Sequence, residues 1–132
     1  MKNLFKICLL LSVLIIPQVS HSLTFALPNP EDIEKVIDLD GNLGNSPEKS
    51  LFPKPVYATI SSFELNAEVS KNLGDINIEV YSITSGFVFE NNVNTQTQQY
   101  ISINISDWDS GIYEIRFVNS VGNCLYGTFE IK

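Results

Sequence analysis

Three short runs in this sequence hold residue types that do chemistry. Asp38, Asp40 and Asn42 surround Gly41 and resemble a calcium loop. An EF-hand loop places acids at alternate positions ahead of its glycine and a bidentate Glu at the twelfth. The glycine here falls between Asp40 and Asn42, and no Glu stands where the twelfth ligand is needed, so a solvated turn is expected. Asp107 and Asp109 flank Trp108, the raw material for paired carboxylates or an aromatic platform for sugar. Paired acids in glycoside hydrolysis need a cleft that holds them about 5–10 Å apart, and the 78-residue segment 55–132 has little volume for one. Turn chemistry for the two Asp and core packing for Trp108 are the expectation. Cys8, Cys124 and His21 complete the inventory.

The N-terminus removes most of that inventory. Lys2 and Lys6 precede an apolar run at residues 7–16, then Pro17 and a small-x-small end at Ser20-His21-Ser22. Ten apolar residues are too few to cross a hydrocarbon core that takes about 20, and the pattern is that of a secretory leader. Residues 1–22 are therefore expected to be removed, with Leu23 the new N-terminus. Without Lys2 and Lys6, 6 of the 8 Lys+Arg face 15 Asp+Glu, and the net charge moves from −7 to −9. His21 and Cys8 leave with the leader. Histidine triads, His-bearing zinc sites and Cys-His pairs then lack their residues, and Cys124, without a partner in its own chain, is expected to be a small buried hydrophobe. The acidic balance excludes a nucleic-acid footprint. The exported chain is expected to sit in the periplasm, at the cell surface or outside the cell, with no transmembrane span, no metal and no cofactor. Nothing in the sequence sets an oligomeric state.

The elements that would position these residues fall into two parts. Residues 23–54 hold Pro28, Pro30, Pro47 and Pro53, and Pro55 follows at once; proline removes ladder donors, so neither a long helix nor a central strand fits. The one organised stretch is 34–40, which suits a short edge strand or one helical turn, since Ile37 and Leu39 alternate with acids while Ile33, Val36 and Ile37 share a helical face. From residue 55 to 132 the period is two. Seven alternating runs begin near Val56, Phe63, Ile76, Gly86, Ile101, Tyr113 and Leu125, with turn residues between them. One face buried and one wet is the signature of an antiparallel sandwich. The fold class expected is all-β, an immunoglobulin-like sandwich of about seven strands behind a short N-terminal edge segment.

The sharpest local signal is Asp109-Ser110-Gly111-Ile112-Tyr113. A tyrosine that opens the sixth of seven strands after an Asp-x-Gly turn has the form of a tyrosine corner, in which the phenol bonds back to the chain and fixes the crossover between sheets. Ile115 stands where antibody domains place a bridging cysteine, so packing must serve there, and Trp108 is expected to plug the same end of the core.

These residues also carry a resemblance. Pro55-Val56-Tyr57-Ala58, the run from Ser70 through Asn72-Leu73-Gly74-Asp75 to Val80, Ser110-Gly111-Ile112-Tyr113-Glu114-Ile115 and Gly127-Thr128-Phe129-Glu130-Ile131 resemble a small secreted immunoglobulin-like family from Bacteroidetes, catalogued as domain of unknown function 3244. Upstream, Ile37-Asp38-Leu39-Asp40-Gly41 and Lys49-Ser50-Leu51 look like its N-terminal pattern. The resemblance covers residues 34–132; it implies a periplasmic or surface sandwich and brings no catalytic residue. A second likeness, through residues 76–80, 86–89, 110–113 and 127–132, is to C-terminal sorting domains of gliding-type secretion cargo, which follow a large passenger. The function expected is a non-catalytic module that binds an extracytoplasmic protein or glycan; the alternative is secretion sorting or surface anchoring.

Overall fold

The computed structural model describes residues 33–44 and 54–132. The expected leader, and five of the six prolines, lie outside them. Alternation dictates strands throughout the described residues, and no helix forms there. The seven expected runs become β3 (Val56–Ile60), β4 (Glu64–Val69), β5 (Asp75–Ser82), β6 (Gly86–Asn94), β7 (Tyr100–Asn104), β8 (Gly111–Asn119) and β9 (Cys124–Ile131). Segment 34–40 forms no helical turn. It opens a strap of two short strands, β1 (Lys35–Ile37) and β2 (Asp40–Asn42).

All pairings are antiparallel. One sheet has the order β1-β3-β4-β7, the other β2-β9-β8-β5-β6. Every second residue turns inward, so Ile76, Ile78 and Val80 of β5 meet Ile115 and Phe117 of β8, and all five are fully buried. Ala58, Leu65, Ala67, Val69, Ile101 and Ile103 close the core from the four-stranded sheet. At about 25 cal/mol per Å² of apolar surface removed from water, this layer is the main source of stability.

The strap leaves one sheet and enters the other within three residues. Ile37 pairs with Ala58 of β3, and Asp40 with Tyr126 of β9. Between them Leu39 is buried at 3% exposure while Asp38 faces water. Gly127 permits the crossing: a Cβ there would lie 2.5 Å from the Asp38 carbonyl oxygen and 2.8 Å from Ile37 Cγ2. Lys54 pins the strap by donating from Nζ to Asp38 Oδ1 and to the Leu39 carbonyl, both at 2.7 Å. The same ammonium holds the Asp38 carboxyl below its ordinary range.

Candidate functional site

At one end of the core, Tyr113 is 4% exposed and its hydroxyl donates to the Asp109 carbonyl oxygen at 2.6 Å. The bond spans the turn that carries Gly111 into β8. Trp108 lies 5.5 Å from Tyr113 between ring centroids, and Tyr113 stacks on Phe129 at 5.6 Å. Ile115 is fully buried one inward position further along. The Trp108 ring is half-buried at the rim of the core rather than enclosed in it. Asp107 and Asp109 are exposed in the turn, and what Asp109 contributes to Tyr113 is its backbone carbonyl. These residues form a structural corner that packs β8 against β9.

Asp38 and Asp40 face solvent in the strap, and Asn42 Oδ1 accepts from the Gly44 amide at 2.7 Å. Among the described residues no group of three His, Cys, Asp or Glu is gathered that could hold a metal. Cys124 departs from expectation. It begins β9 on the sheet's outer face, opposite Val118 and Asn42, and is half-buried. Burial, partly opposed by the Arg116 charge, pushes its thiol up from the usual range.

The best-organised surface lies on the outer face of the five-stranded sheet, where sequence reading assigned no role. Register places Glu90, Glu79, Arg116, Tyr126 and Asp40 in one row across all five strands, with Phe87, Tyr81, Glu114 and Thr128 in the next. The Arg116 guanidinium sits over the Tyr81 ring, 4.8 Å from its centroid, and pairs with Glu114. Tyr81 donates its hydroxyl to Glu79 at 2.9 Å, which raises the phenol above its ordinary value. Asn77 bridges Glu79 and Glu90. The Phe87 ring stands edge-on to Tyr81 at 5.7 Å and is 57% exposed. Tyr126 and Ile112, at 45% and 55%, extend the apolar part. Exposed rings beside polar groups already held in place can bind without a large ordering cost. Cross-strand register, which a strand-by-strand reading does not fix, is the signal that groups these residues.

A depression of about 500 Å³ lies at the same end as the Tyr113 corner, between the β3–β4 turn, the start of the strap and the end of β9. Its charged lining is Lys35, Glu130 and Lys132.

Comparison with known proteins bears on the fold. The family model described as domain of unknown function (DUF3244) matches residues 36–131. The chain belongs to the DUF3244 family. Its sandwich is similar to the crystal structure of a DUF3244 family protein with an immunoglobulin-like beta-sandwich fold from Bacteroides vulgatus ATCC 8482. The TM-score is 0.64 at 21% identity, over 76% of this chain and 100% of that one. No curated protein matches the chain. The DUF3244 match begins within β1, so the family pattern includes the strap. Among the described residues no helix is long and apolar enough to cross a membrane.

Proposed function

We propose that this DUF3244 protein is an exported, non-catalytic recognition module that binds an extracytoplasmic protein or glycan through the outer face of its five-stranded sheet. One observation carries the reading: Tyr81, Phe87 and Tyr126 are presented on a rigid sheet beside Arg116, Glu79 and Glu114, whose side chains are held by one another. Aromatic and arginine anchors concentrate binding energy in recognition surfaces, and an antiparallel sheet holds them more firmly than a loop does. Tyr57 and Tyr100 on the opposite sheet are also exposed, but register sets Glu68 between them. The leader pattern read from residues 1–22 supports the exported part of this reading.

The test is retention from a periplasmic and surface extract on immobilised protein, wild type against the Phe87→Ala/Tyr126→Ala double variant. Both sites are exposed, so folding should be kept, within about 0.5 kcal/mol per change. A discrete species held by wild type and lost by the variant is the expected result. Equal retention by both overturns the assignment of the face. Intact mass of the exported protein should begin at Leu23.

A further inference from the structure

The two long sides of the sandwich are finished differently. On one side the strap ends each sheet in a strand of three residues, β1 beside β3 and β2 beside β9. Short edge strands are a recognised guard against pairing with other chains. On the other side the five-stranded sheet ends in β6, nine residues long, whose one partner among the described residues is β5. The strand has neither Lys nor Pro, the residues that commonly blunt an edge. Its charged group is turned back into its own sheet: Asn77 donates to Glu90 Oε1 at 2.7 Å. Asn94 likewise donates to Asp75.

Register identifies the open backbone groups. The Thr95 amide donates to the Gly74 carbonyl oxygen at 2.9 Å, so those facing residues form a hydrogen-bonded pair, and such pairs alternate along an antiparallel ladder. Asp75–Asn94, Asn77–Asn92 and Glu79–Glu90 are therefore the pairs whose amides and carbonyls point away from each other. The Asn94 carbonyl is taken by the amides of Thr97 and Gln98. Glu90 and Asn92 remain, each offering an amide and a carbonyl to the free side.

We infer that β6 pairs with β6 of a second copy of this chain, antiparallel about a two-fold axis at Asn91, to give one continuous ten-stranded sheet. Side-chain alternation and two-fold symmetry restrict the register. An axis at Glu90 sets two carboxylates opposite each other, which is destabilising, and an axis at Asn92 requires the occupied Asn94 carbonyl. With the axis at Asn91, Glu90 faces Asn92 of the other copy, and the open groups of both residues are used. On the inner face the partly buried Phe89 then faces Val93 of the other copy. A two-fold contact of this kind is self-closing, so it stops at a dimer. The inference does not depend on the proposed recognition face, whose rings point out of the sheet plane.

The experiment is sedimentation equilibrium of the purified protein up to about 1 mM, the weak end of specific association. Weight-average mass should climb from one chain toward two, and more so at high salt, because the acidic copies repel and salt screens them. Asn92→Pro should abolish the rise; the lost amide faces away from β5, so the fold is kept and circular dichroism should match wild type. Asn92→Glu should also abolish it by opposing Glu90, and adding Glu90→Asn should restore it. A mass of one chain at every concentration overturns the inference, as does dimerisation of Asn92→Pro equal to that of wild type.

Discussion

Tyr113 shows how much one side chain contributes here. Its hydroxyl reaches the Asp109 carbonyl at 2.6 Å from a ring clamped between Trp108 and Phe129. Tyr113→Phe keeps the ring and loses the bond, so chemical denaturation should show a loss of about 1 kcal/mol. Trp108→Ala should cost no more than the low end of the roughly 3–5 kcal/mol seen for enclosed rings, because this ring packs against the rim of the core and is only partly buried. Equal stability of both variants with wild type would mean the corner is decoration. Cys124 makes a second prediction. Its thiol is raised above the ordinary 9.0, chiefly by burial, so at pH 8 less of it is thiolate than in a free cysteine. Alkylation at pH 8 should therefore run slower than for a model thiol and accelerate as pH rises past 9. A rate equal to the model thiol's would contradict this environment.

Among the elements, the strap depends on the smallness of Gly127. Gly127→Ala drives a Cβ against the Asp38 carbonyl and the side chains of Ile37 and Leu39, an overpacking expected to cost about 1–3 kcal/mol. Hydrogen exchange of residues 35–42 should rise in that variant, and unchanged exchange would show that the crossing tolerates the methyl. The strands themselves were legible because burial writes a period of two into Ile76-Asn77-Ile78-Glu79-Val80 and Tyr113-Glu114-Ile115-Arg116-Phe117. The last part of β6 was not. Asn91, Asn92 and Asn94 carry no alternation, since the strand is a sheet edge and only Val93 there is buried. The strap was half legible: Ile37 and Leu39 announce burial, but its passage between sheets depends on a glycine some 90 residues away. Cys124 was expected inside because a lone thiol usually is, yet the parity of β9 commits Leu125 to the core and turns Cys124 outward.

At the scale of the whole molecule, the sandwich has a strapped side, an open side and one outer face where aromatic rings and charges are locked together. That face could not be read from the sequence, because Tyr81, Phe87, Arg116 and Tyr126 come from four strands and meet only through register. The central claim is that this face is where the protein meets its partner outside the cytoplasm. The most direct measurement installs a photo-reactive benzophenone amino acid, which inserts into nearby C–H bonds of any partner, at Phe87, at Tyr126 and at Tyr57 on the opposite sheet, followed by irradiation of intact cells. The account predicts a discrete adduct from Phe87 and Tyr126 and none from Tyr57. Adducts from Tyr57 alone, or from all three positions alike, would contradict it.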